Sequence, residues 1–301
     1  MAEEDIDLSD YKVTSEVHVF SSNEESETGA KKYVSKFIFG VPEGLLPRFE
    51  KLRKPRPEVD RDGDLDVVRK SREREMDFEM LIEHQIHTSL DLVGLQVWRG
   101  ALLLADYLLY CSSGSSELKL TSSSNVVELG AGTGLTSVVA AMIAGNVIST
   151  DVDRPGILDL IRKNLELNKN FIQATANVCE LNFYAETFSP ELESQLKRAE
   201  VILAADVIYH DDLTDAFLRT LKKIMNLSPG KTALISVEKR VVFTIAELEA
   251  CAPCFEYFYE NLERVFCAAD WRIEHVDNAL FPQYFCYERV KELVLLKITA
   301  K

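Results

Sequence analysis

The chain has 301 residues, a formal net charge of −15 at pH 7 and 47% hydrophobic residues. The negative charge disfavours nonspecific nucleic-acid binding, which needs a basic surface. The length allows one large domain with an extension, and the apolar content is sufficient for a core. The six cysteines are scattered, as expected for free thiols in a reducing compartment. We find no run of about 18 apolar residues and therefore expect no transmembrane helix.

The N-terminal part predicts an extension that precedes the main domain. Two β-prone runs, 13–20 and 33–39, flank a polar stretch and indicate a long-looped β-hairpin within residues 1–46. Residues 47–78 are dense in charge and carry three prolines, which is typical of a solvated linker. The main domain would then occupy residues 79–301.

From residue 101 onward, helical and strand patterns alternate regularly. Such alternation predicts a mainly parallel sheet with helices on both faces. The predicted strands are residues 126–129, 147–150, 177–181, 200–205, 232–237, 271–276 and 293–298. The predicted helices are residues 101–110, 135–142, 157–168, 213–225 and 245–266.

A glycine-rich turn follows the first strand of this alternation. Glu128 precedes Gly130, Gly132 and Gly134, so the pattern is E-x-G-x-G-x-G and differs from the G-x-G-x-x-G of dinucleotide sites. A carboxylate beside the glycines would repel a pyrophosphate but suits a ligand that carries an ammonium group. S-adenosylmethionine (AdoMet) has an ammonium group and no phosphate. The alternative is a tight turn with a purely structural role.

Acidic residues end two further strands of the predicted sheet. Ligands in open α/β sheets lie beyond the carboxyl ends of the strands. There, Asp151 can accept hydrogen bonds from both hydroxyls of a ribose, with helix capping as the alternative. Asp206 and Tyr209, three residues apart after the fourth strand, can both face a reacting centre. The alternative is a capping Asp and a buried structural Tyr.

These motifs carry a resemblance to a known family. The E-x-G-x-G-x-G string resembles the first motif of the seven-strand AdoMet-dependent methyltransferases. With Asp206-x-x-Tyr209, Val97-Trp98 upstream and Glu238-Lys239-Arg240 after the fifth strand, the chain resembles the protein-lysine methyltransferases of family sixteen. The resemblance implies an α/β fold of the Rossmann-like class I methyltransferase type. It also implies a seven-stranded, mostly parallel sheet with an N-terminal hairpin, and AdoMet-dependent methylation of a protein lysine in one in-line step.

The same resemblance implies roles for individual residues. Leu181-Asn182-Phe183 replaces the family's usual Leu-Asp-Trp, so Phe183 would contact adenine by stacking. Direct transfer needs neither a covalent intermediate nor a metal. The predicted catalytic residues are Asp206 and Tyr209, and the predicted cofactor-binding residues are Trp98, Glu128, Gly130, Gly132, Gly134, Asp151, Phe183 and Ala205.

The expected partner is a protein that carries the acceptor lysine. The resemblance implies a nuclear location, with the cytoplasm as a second one, and a substrate associated with nucleic acid. We expect a monomer that contacts neither nucleic acid nor a membrane directly. Two other functions stay open at this point. One is methylation of a small molecule or nucleic acid. Against it, Val207-Ile208 stands where enzymes that methylate the amino group of adenine or of glutamine have two prolines. The other is a non-catalytic module that keeps the fold.

Overall fold

The computed structural model describes residues 11–17, 21–25, 31–53, 78–244, 249–267 and 269–301. The strands in these ranges are β1 (Lys12–Thr14), β2 (Ser21–Glu25), β3 (Lys31–Phe39), β4 (Phe78–His84), β5 (His87–Ser89), β6 (Asn125–Leu129), β7 (Asn146–Asp151), β8 (Thr175–Glu180), β9 (Val201–Ala205), β10 (Thr232–Glu238), β11 (Val242–Thr244), β12 (Glu249–Cys251), β13 (Trp271–Val276) and β14 (Leu293–Ala300). The α-helices are α1 (Leu46–Phe49), α2 (Arg99–Ser112), α3 (Leu135–Ile143), α4 (Ile157–Leu167), α5 (Pro190–Arg198), α6 (Asp211–Met225) and α7 (Pro253–Val265). Short 3-10 helices span Glu43–Leu45, Glu50–Leu52, Leu90–Leu95 and Asn278–Leu280.

The central sheet has seven strands in the order β13-β14-β10-β9-β6-β7-β8. The five strands from β10 to β8 pair in parallel, and β14 pairs antiparallel with both β10 and β13. The order reverses between β6 and β9, so the connections that follow these two strands lead to helices on opposite faces, α3 and α6, and leave a crevice between them. The predicted Rossmann-like methyltransferase fold with a seven-stranded, mostly parallel sheet is confirmed.

Helices cover both faces of this sheet and create two apolar layers. Residues of α2, α3 and α4, such as Leu103, Val138 and Ile161, form one layer. Residues of α5, α6 and α7, such as Leu196 and Phe217, form the other. The sequence analysis missed α5, although Ser189 caps it and Pro190 occupies its first turn, which is a common helix start.

The N-terminal hairpin is present, but its strands differ from those predicted. β2 lies in the stretch that was predicted as a polar loop, and it pairs with β3. β1, which belongs to the first predicted β-prone run, pairs instead with β5. β4 completes a three-stranded sheet with β2 and β3. This small sheet therefore joins residues from both sides of the predicted linker.

Helix α4 holds the small sheet against the main domain. The Asn164 side-chain amide bonds both the N–H and the C=O of Glu83, at 2.7 and 2.9 Å. Asn168, one turn later, bonds the N–H and the C=O of Leu81 in the same way, at 3.0 and 2.7 Å. Two asparagines on one helix face thus satisfy the backbone of β4, which would otherwise be an open sheet edge.

Two further differences concern the predicted linker and the last long helix. Residues 47–53 are helical and partly buried, with Phe49 in the core, while residues 54–77 of the predicted linker lie outside the described residues. The helix predicted for 245–266 begins only at Pro253, and the strands β11 and β12 precede it. Proline at the first helical position explains this late start, because it has no N–H to donate.

Among the described residues, one stretch, Leu90–Ser112, has the length and composition of a membrane-spanning helix. Its most apolar window is 72% buried inside the protein. The stretch is also not one continuous helix, because Gln96 and Trp98 are extended between Leu90–Leu95 and α2. Core helices of globular proteins meet the same criteria, so the burial identifies α2 as a core helix.

Candidate active site

One cavity lies at the carboxyl ends of the central strands, beneath the segment Leu90–Leu95. It is lined by nine of the ten predicted site residues: Trp98, Glu128, Gly130, Gly132, Asp151, Phe183, Ala205, Asp206 and Tyr209. Gly134 is the exception. It precedes α3 with a left-handed backbone, and a Cβ added there would lie 3.1 Å from Ile161 Cγ2.

The glycine loop is shaped mainly by neighbouring protein. Gly130 and Gly132 have φ values of +66° and +54°, in the left-handed region that favours glycine. A Cβ built on Gly130 would lie 2.7 Å from Val207 Cγ1. A Cβ built on Gly132 would lie 2.7 Å from the carbonyl oxygen of Gly94. The loop therefore needs glycine both for its turn and for contact with the segment that covers the cavity.

Glu128 is fully buried near the end of β6, and its side chain faces the first turn of α3. Its carboxyl group accepts a hydrogen bond from the Ser137 hydroxyl, and Ser137 accepts one from Ser149 at 2.6 Å. Burial raises the pKa of Glu128 to about 7, and the negative charge of Asp151 adds to this rise. The carboxyl group thus supports the first turn of α3 in addition to facing the cavity.

Asp151 links the end of β7 to the glycine loop. Its two carboxylate oxygens accept hydrogen bonds from Gly132 N and Val152 N, each at 2.8 Å. Burial raises the pKa of this carboxyl group, and the two backbone donors oppose the rise. Each oxygen keeps a second lone pair, so the contact with ribose hydroxyls remains a prediction that this geometry permits.

The residues after β8 form an aromatic wall of the cavity. The Phe183 ring packs against Phe217 with 5.5 Å between ring centroids, which fixes its position. Asn182 accepts a hydrogen bond from Tyr184 N at 2.9 Å and so stabilises the local turn. An adenine that stacks on Phe183 would lie on a ring that the core already holds in place.

Asp206 joins three elements at the bottom of the cavity. It has a left-handed backbone, with a φ of +51°. One carboxylate oxygen accepts from Gly100 N at 2.7 Å and the other accepts from Glu238 N at 2.8 Å. Burial raises the pKa of Asp206, and these two backbone donors oppose the rise. Asp206 therefore caps the first turn of α2 and fastens it to the end of β10.

A second cavity adjoins the first on the far side of Trp98. Val93, Trp98, Asp206 and Tyr209 line both cavities. The second cavity is otherwise lined by Val13, Leu90, Ile208, Glu238, Arg240, Cys254 and Phe255. The guanidinium group of Arg240 lies 4.5 Å from the centre of the Trp98 ring. The predicted catalytic pair thus stands where the two cavities meet.

Two cavity residues escaped the sequence analysis. Asp91 and Gln96 line the first cavity, and each has a buried side-chain oxygen, Asp91 Oδ1 and Gln96 Oε1, that accepts no hydrogen bond within the described part of the chain. Unpaired buried acceptors are rare in native proteins and indicate a site for donors of a ligand. The sequence pointed only to the neighbouring Val97-Trp98, and neither of these two side chains was predicted to bind a ligand.

The comparison with known proteins decides the family. The profile of a family described as lysine methyltransferase matches residues 77–249. The chain belongs to the lysine methyltransferase family. Methyltransferase-like protein 22 of Mus musculus is 34% identical over 294 residues, which cover 81% of this chain and 73% of that protein. The Homo sapiens protein of the same name is 33% identical, over 81% of this chain and 71% of that protein. Protein N-lysine methyltransferase METTL21A of Mus musculus is 39% identical over 43% of this chain and 54% of that protein.

The predicted resemblance is therefore confirmed, and with it the class of reaction. This lysine methyltransferase uses AdoMet as its methyl donor and a protein as its substrate. The first cavity fits AdoMet. The hydrogen-bond donors of AdoMet are an ammonium group, ribose hydroxyls and an adenine amine. Asp91, Gln96 and Asp151 offer acceptors for them, and Phe183 offers an apolar ring. Among the described residues, no group of His, Cys, Asp or Glu is arranged to hold a metal ion.

Proposed function

We propose that this lysine methyltransferase binds AdoMet in the first cavity and receives the acceptor lysine through the second. The observation that carries the proposal is the shared wall of the two cavities, formed by Val93, Trp98, Asp206 and Tyr209. A methyl donor and an acceptor in adjoining cavities can meet in line, and such positioning supplies much of the rate of this type of reaction.

Most of the predicted cofactor-binding residues have a role in this arrangement. Asp151 accepts the ribose hydroxyls, Phe183 stacks on the adenine and Ala205 leaves room beside it. The glycine loop places its backbone against the methionine part, and Trp98 packs against the ligand. When bound, AdoMet supplies a methyl group on a positively charged sulfonium, which makes the transfer chemically easy.

The second cavity suits a lysine side chain. Leu90, Val93 and Phe255 give it apolar walls along which the methylene groups can lie. An apolar surrounding disfavours the ammonium form and so helps the nitrogen to lose its proton before attack. Tyr209 walls the junction and aims its hydroxyl at the acceptor, while Asp206 orients the amine there.

The partner and the location form the finer part of the proposal. We infer a nuclear protein substrate that is associated with nucleic acid, with the cytoplasm as a second location. The net charge of −15 supports a basic protein partner and no direct contact with nucleic acid. We also propose that the enzyme acts as a monomer away from membranes.

A labelling experiment tests this function. The purified enzyme is incubated with AdoMet that carries a tritiated methyl group and with a nuclear or a cytoplasmic extract. Portions are then digested with nuclease or with protease. We expect protease-sensitive, nuclease-resistant label that acid hydrolysis recovers as methyllysine, mainly from the nuclear extract. Label that nuclease removes, or label in small molecules, would contradict the proposal. Size-exclusion chromatography with light scattering tests the monomer.

A further inference from the structure

Two carboxyl groups stand side by side at the junction of the cavities, and they differ in what they already bind. Asp206 uses one oxygen for Gly100 N and the other for Glu238 N. Glu238 uses Oε1 for the guanidinium group of Arg99, at 2.7 Å. Its second oxygen, Oε2, is buried and has no hydrogen-bond partner among the residues that the structure describes. Of these two acids, Glu238 is the one with a carboxylate oxygen that accepts no hydrogen bond from the described residues.

The position of Glu238 relates this oxygen to the acceptor and not to the cofactor. Glu238 lines the second cavity and is absent from the lining of the first. Its side chain is 9% exposed, so Oε2 cannot compensate its missing partner with bulk water. A buried carboxylate oxygen without a donor is costly unless a ligand supplies one.

We propose that Glu238 binds the ammonium group of the acceptor lysine through Oε2 and takes its proton before methyl transfer. This inference rests on the proposed function, since it concerns the lysine that enters the second cavity. In this arrangement, Asp206 holds the start of α2 and the end of β10 in place around the ammonium group. Glu238 contacts the ammonium group directly. Glu238 is thus a further residue of the reaction, beyond the predicted pair of Asp206 and Tyr209.

The charges that act on Glu238 come from three other segments of the chain. Arg99 at the start of α2 holds Oε1, while Asp206 after β9 and Glu16 beside β1 repel a second negative charge. Burial is the largest of the causes that raise the pKa of Glu238. The two acids raise this pKa further, whereas Arg99 lowers it. A carboxylate with a raised pKa is a better proton acceptor. The remaining titratable or charged groups that line the cavity are Tyr209, Arg240 and Cys254.

Among the charged groups that line the second cavity, Arg240 is only weakly held in its place. Arg240 lies over the Trp98 ring and pairs with Glu16 at 3.0 Å. Both partners of this pair are about 40% exposed, and exposed ion pairs contribute little stability. The Trp98 face already accommodates a cation, so an incoming lysine ammonium can replace the guanidinium group there.

The proposed step balances in protons and electrons. A proton leaves the lysine Nζ for Oε2 of Glu238, which becomes a neutral carboxylic acid, and Nζ regains its lone pair. That lone pair forms the new N–C bond to the methyl group, while the electron pair of the broken C–S bond remains on sulfur. The methylated nitrogen then carries the positive charge, and the proton on Glu238 passes to water after product release.

Glu238→Gln tests the proposal, because the amide keeps the volume and can still accept from Arg99. The matched control is Glu288→Gln, which removes another carboxylate near Arg99, 3.8 Å from it and 79% exposed. Initial rates of tritium transfer into the protein of a nuclease-treated extract are measured from pH 7 to pH 9. We expect a loss of about a hundredfold at pH 7 in Glu238→Gln and an unchanged rate in Glu288→Gln.

The pH profile separates proton transfer from a structural role. Without Glu238, the enzyme must use the neutral fraction of the lysine, which grows about tenfold per pH unit below the lysine pKa. The deficit of Glu238→Gln should therefore shrink about tenfold per pH unit. A deficit that stays constant from pH 7 to pH 9, or no deficit, would overturn the proposal.

A binding measurement provides a second readout. The probe is an adenosine-based bisubstrate analogue in which nitrogen replaces the sulfonium and carries a four-carbon aminoalkyl chain. Calorimetry should show that the wild type binds this analogue more tightly than S-adenosylhomocysteine. In Glu238→Gln, this gain in affinity should be smaller by a factor of at least about ten. S-adenosylhomocysteine itself should bind both proteins equally. An equal gain in both proteins would exclude Glu238 as the ammonium site. Failure of the wild type to form methyllysine would instead refute the proposed function.

Discussion

Gly132 and Gly94 touch through their backbones, and this contact closes the cofactor cavity from above. A Cβ on Gly132 would lie 2.7 Å from the Gly94 carbonyl oxygen, and a Cβ on Gly94 would lie 3.6 Å from Gly132 Cα. The Asp151 carboxylate lies beside them and accepts from Gly132 N. The glycine loop, the covering segment and the predicted ribose-binding acid are therefore one packed unit.

Substitution of Gly132 should therefore weaken AdoMet binding. Gly132→Ala introduces both left-handed strain and the clash with Gly94, so we expect an affinity loss of about tenfold or more, equivalent to about 1.4 kcal/mol. Gly132→Arg should abolish binding. The control is Gly114→Ala. Gly114 has a φ of +77° but open space where a Cβ would lie, so this substitution should cost only about 1–2 kcal/mol of stability. Calorimetry that shows unchanged AdoMet affinity in a folded Gly132→Arg protein would refute the predicted role.

Glu128 should make the stability of the protein depend on pH. Its pKa is about 7 in the folded protein against 4.5 as the ordinary value, so the folded state binds more protons between these values. Stability from this group is present below pH 4.5 and is lost as the pH rises through 7. Glu128→Gln lacks this loss. Relative to wild type, the variant should gain about 3 kcal/mol between pH 4.5 and pH 8.

Urea unfolding at pH 5 and pH 8 measures this difference. Other buried acids such as Asp106, whose pKa burial raises to about 6, are present in both proteins and cancel in the comparison. The control is Glu166→Gln on α4, whose side chain is 69% exposed. Parallel stability profiles for wild type and Glu128→Gln would show that Glu128 is ionised like an ordinary glutamate.

Phe49 should contribute strongly to stability, although it lies in the predicted linker. It is buried, and its ring packs edge-on against Phe78 and Phe171, at 6.2 and 5.6 Å between centroids. Phe49→Ala should cost about 3–5 kcal/mol in urea unfolding. Leu280→Ala, at a side chain that is 69% exposed, should change stability by less than about 0.5 kcal/mol. Equal effects of the two substitutions would show that residues 47–53 do not belong to the folded core.

The central sheet was predictable because most of its strands are apolar and are followed by a turn or helix signal, although β8 and β13 mix polar with apolar residues. The strands β1 and β2 were not predictable in this way. Tertiary contacts choose their partners, β5 and β3, and the β2 sequence Ser21–Glu25 is polar. Strand propensity describes how well a side chain fits a half-buried surface. It says little about a polar edge strand that is held in place by pairing with its neighbour.

The site shows the same division. Residues at strand ends and in the glycine loop were visible as motifs, and nine of the ten predicted site residues line the cavity. Asp91, Gln96 and Glu238 carry the unpaired buried oxygens at the two cavities, but an unpaired oxygen is a property of packing and leaves no pattern in one sequence. Helix capping was the alternative role predicted for Asp206, but its partners, Gly100 N in α2 and Glu238 N in β10, were hidden for the same reason.

Asp206→Ala should reduce both stability and turnover. The two N–H groups that lose their acceptor should cost about 3 kcal/mol of stability, and the misplaced junction should cost about a hundredfold or more in methyl transfer. AdoMet affinity should change much less, because the cofactor-binding residues keep their own partners. Thermal unfolding, calorimetry and initial rates measure the three effects. Asp212→Ala removes an exposed acid in the first turn of α6 and serves as the control. A folded Asp206→Ala enzyme with near-normal lysine methylation would contradict the assignment.

Tyr209 should act through its ring and its neutral hydroxyl. Burial, and the negative charge of Asp151 after it, raise the pKa of Tyr209 to about 12, so the phenol stays protonated throughout the working pH range. Tyr209→Phe keeps the ring and should lose several-fold in turnover, about tenfold at most, whereas Tyr209→Ala opens the shared wall of the cavities and should lose about a hundredfold or more. Because the hydroxyl does not titrate below about pH 11, the ratio of wild-type to Tyr209→Phe rates should stay constant from pH 7 to pH 9. Initial rates of tritium transfer at three pH values test this. A ratio that changes tenfold per pH unit would identify Tyr209, and not Glu238, as the group that takes the proton from the lysine.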